Sequence, residues 1–237
     1  KETIKNKSHF CIAHLNIRSI DRNGNALIQI LEESNKNIDI MTLSEVWGNH
    51  TDFNHPTYQP LITNLRINKR GGGVGILVKK DINFTIINEM SKVNNRIEII
   101  TIKIKHKKKY RLISSIYRPP NQTTSAINDF ILEINEILEF KKNTYKDTKI
   151  DILGDFNINT LEYHTSEYVR NFINKFEQYN LTPIINKITR VSKSEKCGSI
   201  IDNIFSNNFL GNEQFVLLSS ISDHFIILKS EPKLEDN

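Results

Sequence analysis

The chain has 237 residues, of which 32 are Lys or Arg and 27 are Asp or Glu, so its formal net charge is +5 at pH 7. This charge favours a polyanionic partner. No apolar stretch reaches membrane-spanning length, so no membrane association is expected, and residues 1–7 lack the apolar core of a signal peptide. The two cysteines, Cys11 and Cys197, fit a reducing intracellular compartment and offer no zinc-ligand spacing.

The domain organisation predicted from the sequence is simple. The chain has no Gly/Ser linker, long charge block or internal repeat, so we expect a single domain over residues 1–230, and a monomer. Residues 231–237 are acidic and contain Pro232, which predicts a tail or the start of a linker. Because the first residue is Lys1 and not Met, a segment of a longer polyprotein or a trimmed chain is expected.

Hydrophobic periodicity predicts alternating strands and helices along the chain. The predicted strands comprise residues 9–14, 38–43, 74–78, 83–87, 96–105, 110–117, 149–153, 200–205, 213–218 and 225–229. The predicted helices comprise residues 25–33, 126–140, with Ser125 as N-cap, and 166–179. Because strands outnumber helices and hairpins mix with crossovers, we expect an α/β (α+β) fold of two packed sheets with helices outside, not a doubly wound parallel sheet.

Polar side chains recur at or near the ends of the predicted apolar strands. They are Asn16, Glu45, Tyr117, Asp155, Asn157, Asp202 and His224. Each one alone is more typical of a turn or a cap. Together they offer carboxylates for a hard cation, a histidine, and amide and hydroxyl groups that bind phosphate oxygens. Phosphodiester hydrolysis needs an activated water, neutralised phosphoryl charge and assistance to the leaving oxygen, and this set can supply all three.

Six sequence blocks in a fixed order resemble the signature of the endonuclease/exonuclease/phosphatase superfamily. Within it, they most resemble the apurinic-type endonuclease domain of non-LTR retrotransposons. The blocks are residues 15–19 (LNIRS), 43–47 (LSEVW), 116–120 (IYRPP), 154–157 (GDFN), 201–205 (IDNIF) and 222–224 (SDH). The resemblance extends from Phe10 to Leu228 and implies a deoxyribonuclease I-like, four-layer sandwich in which helices flank two mixed β-sheets.

The resemblance also implies a metal site and a group that activates water. Glu45 is expected to bind Mg²⁺, for which Mn²⁺ can substitute, with Asn16 nearby in the metal shell. Asp155 is expected to orient or deprotonate the attacking water. Asn157 is expected to hold a phosphate oxygen and to position its neighbours.

His224 is expected to bind a non-bridging phosphate oxygen. Ser222, Asp223 and His224 could be mistaken for a hydrolytic triad, but adjacent side chains alternate along the chain. We therefore expect the distant Asp202 to fix the tautomer of His224, and a metal-assisted water to attack in place of Ser222. Tyr117 is expected to donate to the phosphate or to the leaving group. Further phosphate or DNA contacts are expected at Thr189, Ser222, Arg118 and Arg18.

Arg18 stands two residues after Asn16, where repair enzymes of this group have a carboxylate. This departure disfavours a repair role and leaves the metal shell with one negative charge fewer. The retroelement branch implies nicking of one strand of double-stranded DNA in the nucleus, leaving a 3′-hydroxyl that primes a following reverse transcriptase domain. Two alternatives remain: another phosphoesterase (inositol-phosphate phosphatase, sphingomyelinase or deadenylase), or a non-catalytic DNA-docking module.

Other features favour structural interpretations. The basic run over residues 103–111 lies at a predicted hairpin and is more typical of a solvated tip than of a DNA grip. The Gly-rich segment 71–73 opens a strand, so it is not a phosphate loop. Trp47 is expected to pack. His14 alternates with apolar neighbours and is expected in the core or behind the site, and not as a metal ligand.

Overall fold

The computed structural model describes residues 9–33, 37–48, 53–67, 71–106, 109–121, 123–191, 198–209 and 211–232. Predictions that concern Cys197, Lys107, Lys108, residues 1–7 and residues 233–237 lie outside these ranges. Among the helices within them, none combines the length and the apolar composition needed to cross a membrane.

The described residues form two mixed β-sheets and three α-helices. The strands are β1 (His9–Asn16), β2 (Ile38–Ser44), β3 (Ile62–Asn64), β4 (Val74–Val78), β5 (Phe84–Ile86), β6 (Lys92–Val93), β7 (Glu98–His106), β8 (Lys109–Tyr117), β9 (Lys149–Asp155), β10 (Thr182–Pro183), β11 (Asp202–Ser206), β12 (Glu213–Leu217) and β13 (Ile226–Pro232). The helices are α1 (Ile20–Glu33), α2 (Thr124–Thr144) and α3 (Glu167–Glu177).

The strand order of the first sheet is β12-β13-β1-β2-β4-β3, and that of the second is β10-β11-β9-β8-β7-β5, with β6 also paired to β7. Each sheet contains one parallel pair, β1 with β2 and β8 with β9. The remaining pairs are antiparallel. The parallel pairs bring the carboxyl ends of four strands to one edge of the molecule, where the predicted site residues lie.

Three hydrophobic clusters separate four layers. On the outer face of the first sheet, α1 packs through buried side chains such as Leu27. On the outer face of the second sheet, α2 and α3 bury aromatic side chains that include Phe130 and Phe172. Between the sheets, Ile12 of β1 and Ile113 of β8 belong to one central cluster. The predicted four-layer sandwich is therefore confirmed.

The inner faces of the two sheets are apolar in the middle and polar at both ends. Because side chains alternate along a strand, Asp151, Leu153 and Asp155 of β9 all project from the same face. Leu153 belongs to the central cluster, whereas both aspartates are buried at the ends of the strand. One end of the sandwich therefore presents Asp155 to the candidate site. At the other end, the buried charge of Asp151 requires neighbouring cations.

Asp151 belongs to a buried network of four charged residues, two cations and two anions, that together are neutral. Arg111 Nε donates to Asp151 Oδ2 at 2.6 Å, and Lys229 Nζ donates to Asp151 Oδ1 at 2.7 Å. Glu231 Oε1 lies 2.6 Å from Arg111 Nη2 and 3.0 Å from Lys229 Nζ. Strand β13 consequently runs to Pro232. Residues 231 and 232, which were predicted to belong to a tail, are part of this strand, because Glu231 is bound to its partners within the sandwich.

The predicted elements differ from the observed ones mainly at their ends. Helix α1 starts at Ile20 and includes Gly24, where the ring of Phe53 approaches the backbone too closely for a larger residue to enter freely. The N-cap of α2 is Thr123, whose hydroxyl accepts from Ala126 N at 3.3 Å, so the prediction of Ser125 is wrong. The short strands β3, β6 and β10 were not predicted, because two or three residues carry no readable periodicity.

Candidate active site

The predicted strand-end residues meet at one edge of the sandwich. Three of them form a row across the second sheet, because Tyr117 pairs in register with Asp155, and Asp155 pairs in register with Asp202. Residues paired directly across neighbouring strands project from the same face, so these three side chains all point toward the first sheet. There they face Asn16, at the end of β1, and Glu45, just after β2.

Asn16 joins the two sheets. Its Nδ2 donates to Glu45 Oε1 at 2.8 Å and to Asp155 Oδ2 at 2.9 Å, while its Oδ1 accepts from Arg18 N at 3.2 Å. Glu45 has a positive φ of 53°, which directs its carboxylate toward Asn16. Trp47 Nε1 donates to Glu45 Oε2 at 3.1 Å, so the indole, which was expected only to pack, also orients the carboxylate.

His224 pairs with Asp202, as the sequence predicted. Its Nδ1 lies 3.0 Å from each carboxylate oxygen of Asp202, and its Nε2 faces Asp155 Oδ2 at 4.0 Å. Burial by itself lowers the pKa of His224, but the charge and hydrogen bond of Asp202 outweigh it and raise that pKa to about 9. The imidazole is therefore charged at neutral pH, with its Nε2–H directed into the site.

Asp155 is a buried carboxylate beside a second one. Burial, followed by the charge of Asp202, raises the pKa of Asp155 to about 7, although His224 acts in the opposite direction. A carboxylate that titrates near neutral pH can accept a proton from water far better than one with an ordinary pKa. Its position next to a charged donor is an arrangement typical of catalytic sites.

Tyr117 retains its proton. Burial, together with the nearby carboxylates Glu45, Asp155 and Glu98, raises the pKa of the phenol well above its usual value. The hydroxyl of this buried side chain is thus a hydrogen-bond donor throughout the physiological pH range.

Ser222 is bound to the main chain and not to the imidazole of His224. Its hydroxyl donates to the carbonyl of Asn16 at 2.8 Å and accepts from His224 N at 3.2 Å. This arrangement ties the loop before β13 to the end of β1. It agrees with the interpretation that Ser222 is not a nucleophile.

Thr189 and Arg118, which were predicted to contact phosphate, are buried beneath the site. Thr189 is fully buried, and its Oγ1 accepts from Ile201 N at 3.2 Å and from Asp202 N at 3.1 Å. Arg118 is buried too, and it donates to the carbonyls of Phe156 at 2.7 Å and of Asn157 at 2.8 Å. The prediction is corrected for both residues: Thr189 supports the backbone of Asp202, and Arg118 supports the turn after Asp155.

Asn157 lies in that turn with a positive φ of 48°. Its backbone N–H donates to Asp155 Oδ1 at 2.9 Å, and its Nδ2 donates to the carbonyl of Arg118 at 2.8 Å. Asn157 thereby positions Asp155, which was part of its predicted role. One of the two hydrogens on this amide nitrogen is thus committed to the backbone, and the contact of Asn157 with a phosphate oxygen stays a prediction.

Arg18 lies at the rim of the site. Its Nη1 is 3.1 Å from Asp223 Oδ1, and its side chain is 42% exposed. Arg190, which was not among the predicted contacts, donates to the other oxygen of Asp223 at 2.8 Å. Asp223 is therefore occupied by two guanidinium groups, and these groups form a basic rim next to His224.

Two further buried residues at this edge were not predicted to take part in the site. His14 Nδ1 lies 3.0 Å from Thr42 Oγ1, and its Nε2 lies 4.0 Å from Asp202 Oδ1. Burial lowers the pKa of His14 to about 4, so it is neutral behind Asp202, in keeping with its expected place. Glu98 extends the row of the second sheet, because it pairs in register with Tyr117. In the sequence, Glu98 could have been recognised as a charged residue at the start of an apolar strand.

The donor set suits a hard divalent cation. Glu45 and Asp155 present carboxylate oxygens on either side of Asn16, and Mg²⁺ prefers one or two carboxylates with water and substrate phosphate. Asp155, Asp202 and His224 also have ligand atoms within 4.8 Å of one another. In that second group, however, Asp202 is committed to His224, and a nitrogen ligand is less suited to Mg²⁺. The Glu45 side therefore fits the ion better.

Comparison with known proteins agrees with this site. Residues 111–228 match the model of a family described as endonuclease-reverse transcriptase. The endonuclease domain of TRAS1, a telomere-specific non-LTR retrotransposon, superposes with a TM-score of 0.74 at 12% identity, covering 95% of this chain and 99% of that one. A comparison with curated protein sequences gave no significant match.

Other similar structures come from bacteria and vertebrates. The 3′ phosphatase NExo from Neisseria, bound to a product DNA hairpin, has a TM-score of 0.70 at 16% identity over 95% of this chain and 100% of its own. The catalytic domain of APE2 from Xenopus laevis has a TM-score of 0.69 at 16% identity over 96% of this chain and 94% of its own.

The fold and the site together resemble those of phosphoester hydrolases. Residues 111–228 match the endonuclease-reverse transcriptase family, and the fold is shared with solved endonuclease/exonuclease/phosphatase proteins. The resemblance recognised in the sequence is thus confirmed.

Proposed function

We propose that this chain is a Mg²⁺-dependent endonuclease that nicks one strand of double-stranded DNA and leaves a 3′-hydroxyl. The observation that carries this proposal is the bridge formed by Asn16 between Glu45 and Asp155, with the His224–Asp202 pair on the other side of Asp155. The proposal assigns the cation site to Glu45 and Asn16, the proton acceptor to Asp155 and the charged donor to His224, around one point where a phosphate would bind.

The chemistry follows from the state of each group. Glu45, with Asn16 beside it, would hold the ion, which when bound supplies charge neutralisation to the phosphoryl oxygens. Asp155 accepts a proton from the attacking water, since its pKa is raised toward neutrality. His224 donates its Nε2–H to a non-bridging oxygen, where negative charge grows in the transition state. Tyr117 donates its hydroxyl hydrogen to the phosphate or to the leaving oxygen.

Double-stranded DNA is the substrate that the surroundings of the site favour. Arg18 and Arg190 present guanidinium groups at the rim, where they can contact phosphates next to the scissile one. The similar NExo structure is bound to a DNA hairpin, and TRAS1 is a retrotransposon. The net charge of +5 acts in the same direction.

The family description also supports a role in retrotransposition. In this role the 3′-hydroxyl primes reverse transcription by a reverse transcriptase domain in the full-length protein, and the reaction takes place in the nucleus on chromosomal DNA. A second candidate is processing of DNA 3′ ends. Of two similar NExo structures from Neisseria, one is described as a 3′ phosphatase and the other as a 3′–5′ exonuclease.

The test is to incubate the chain with supercoiled plasmid and Mg²⁺, alongside Asp155→Asn and His224→Ala variants. We expect wild type to produce nicked circles that a DNA polymerase can extend, and each variant to lose activity by about 10²-fold or more. Chelation by EDTA should abolish nicking. Intact supercoiled plasmid, or variants as active as wild type, would refute the proposal. Release of phosphate from a 3′-phosphorylated oligonucleotide without any nicking would favour the second candidate.

A further inference from the structure

Glu98 is a fully buried carboxylate at the edge of the site. It begins β7, and its register partner is Tyr117, so its side chain lies on the inner face of the second sheet. One carboxylate oxygen accepts from the guanidinium of Arg66, and the other accepts from the backbone N–H of Gly73. A buried carboxylate requires this kind of complete pairing, because an unpaired charge in the interior is costly.

The Gly-rich segment connects Glu98 to the candidate metal site. The carbonyl of Gly73 accepts from Val46 N at 3.2 Å, and the carbonyl of Gly72 accepts from Trp47 N at 2.9 Å. Val46 and Trp47 directly follow Glu45. Two successive hydrogen bonds therefore connect the Glu98 carboxylate to the backbone next to Glu45: Gly73 N donates to Glu98, and Val46 N donates to the carbonyl of Gly73.

The backbone after β2 needs such support. Glu45 and Trp47 have positive φ values of 53° and 50°, in the left-handed region that residues other than glycine rarely adopt. Conformations of this kind persist when their surroundings over-determine them. The backbone N–H groups of Val46 and Trp47, directly after Glu45, donate to the carbonyls of Gly73 and Gly72. These two bonds hold the backbone, while the side chains of Asn16 and Trp47 hold the Glu45 carboxylate.

Gly72 has a positive φ of 73°, and it lies directly against the ion pair. A Cβ at this position would approach the guanidinium of Arg66 and the carboxylate of Glu98 to about 2.7 Å or less. Only glycine lets the pair contact the backbone of the turn. The Gly-rich segment, which was predicted to be structural, thus has a defined purpose: it accommodates the Arg66–Glu98 pair.

We infer that Glu98, bound to Arg66, is a positioning residue for the metal-binding carboxylate of Glu45, acting through the 71–73 turn. This inference rests on the proposed role of Glu45 in binding Mg²⁺. Glu98 does not reach the metal or the substrate in this arrangement, since both of its oxygens are already occupied. It determines where Glu45 stands, and the affinity for the ion should depend on it.

The test compares Glu98→Gln with wild type by titrating Mn²⁺ and recording the free ion by electron paramagnetic resonance. A glutamine amide has one acceptor oxygen, so either Arg66 or Gly73 N loses its partner. We expect Mn²⁺ affinity to fall by about tenfold, and the Mg²⁺ concentration for half-maximal nicking to rise by a similar factor, as for other residues that orient metal ligands. The KM for DNA should change little.

Two further variants make the result decisive. Arg66→Gln removes the other half of the pair and should weaken Mn²⁺ binding in the same way. Glu98→Gln is the variant expected to fold more readily, because it leaves no buried unpaired carboxylate and the released Arg66 side chain is 22% exposed. Glu133→Gln is the matched control, because Glu133 is also a buried carboxylate and pairs with Lys92 outside the candidate site. It should leave Mn²⁺ affinity unchanged.

The outcomes separate this inference from the proposed function. Folded Glu98→Gln and Arg66→Gln variants that bind Mn²⁺ as tightly as wild type, with only a lower melting temperature, would refute the positioning role. Weaker Mn²⁺ binding in both variants would support it even if wild type failed to nick DNA. In that case only the proposed endonuclease activity would be refuted.

Discussion

At the scale of single residues, the site depends on two buried aspartates on adjacent strands. Asp155 and Asp202 pair in register, and the charge of Asp202 contributes to the raised pKa of Asp155. His224 lies against both and is charged because of them. Substitution of Asp202 should therefore change the pKa of both Asp155 and His224, which makes the pH dependence of the reaction informative.

The pH profile of nicking is the residue-scale prediction. Asp155 acts when deprotonated and His224 acts when protonated, so the rate should rise through about pH 7 and fall through about pH 9. Asp202→Asn removes the anion that raises both pKa values, so both limbs should move to lower pH. Single-turnover nicking of a labelled duplex between pH 5 and pH 10 would measure this. An unshifted profile in Asp202→Asn would contradict the assignment.

At the scale of elements, the ends of strands and helices decide how well the site is presented. The turn after β9 is held by Arg118, and the start of β11 is held by Thr189. Both residues look like ligand-binding groups in the sequence, because a hydroxyl and a guanidinium are common phosphate contacts. Their burial reverses that interpretation, since a fully paired interior group is not available to a ligand.

The start of α2 offers a clean test at this scale. Thr123→Ala removes the hydroxyl that accepts from Ala126 N, and it should lower the free energy of unfolding by about 1 kcal/mol. Ser125→Ala is the matched control, because Ser125 lies inside the helix, where alanine has the higher helix propensity, so this change should raise the free energy of unfolding by roughly a few tenths of a kcal/mol. Urea denaturation of both variants would measure the two free energies of unfolding and show which residue caps α2. Equal losses would mean that Thr123 is not the cap.

At the scale of the whole molecule, the two ends of the sandwich have different tasks. One end gathers the polar side chains of the candidate active site, and the other encloses the network of Arg111, Asp151, Lys229 and Glu231. The apolar middle layer separates them. Stability and catalysis should therefore be separable by mutation.

Asp151→Asn tests that separation. Burial acts to raise the pKa of Asp151, but Arg111 and Lys229 lower it more strongly. Its stabilising contribution is thus complete above the ordinary pKa of an aspartate, about 4, and is lost as the pH falls below that value. At pH 7 the variant should lose about 3–5 kcal/mol of stability, because two buried cations are left with one anion. Calorimetry should show the lower melting temperature, while kcat of the folded variant stays within about twofold of wild type, since the apolar layer isolates the site.

An exposed ion pair is the appropriate comparison for Asp151→Asn. Glu136 bonds to Lys92 at 3.0 Å with a side chain that is 71% exposed, so Glu136→Gln should cost less than about 1 kcal/mol. A similar melting temperature for both variants would show that the buried network contributes no more than a surface pair. A large loss of kcat in Asp151→Asn would show that the two ends are coupled.

The architecture was accessible from the sequence to a large extent. Alternating apolar residues and the balance of strands over helices predicted two sheets with helices outside, and the six blocks implied the layers. Strand pairing is set by contacts between distant segments, so its order could not be read from local pattern. The added residues of β13 show the same limit: Ser230 to Pro232 look like a polar tail until Glu231 is seen to neutralise Arg111.

The sequence by itself predicted which groups meet at one edge, because an apolar strand that ends in a polar residue delivers that residue to the edge of the sheet. Asn16, Glu45, Tyr117, Asp155 and His224 were found in this way. Only the tertiary structure decided which polar groups are available and which are used internally. Thr189 and Arg118 have partners contributed by other strands and turns, and burial converts both from candidate contacts into supports of the site. Glu98, which was not predicted to take part, is likewise paired in the interior.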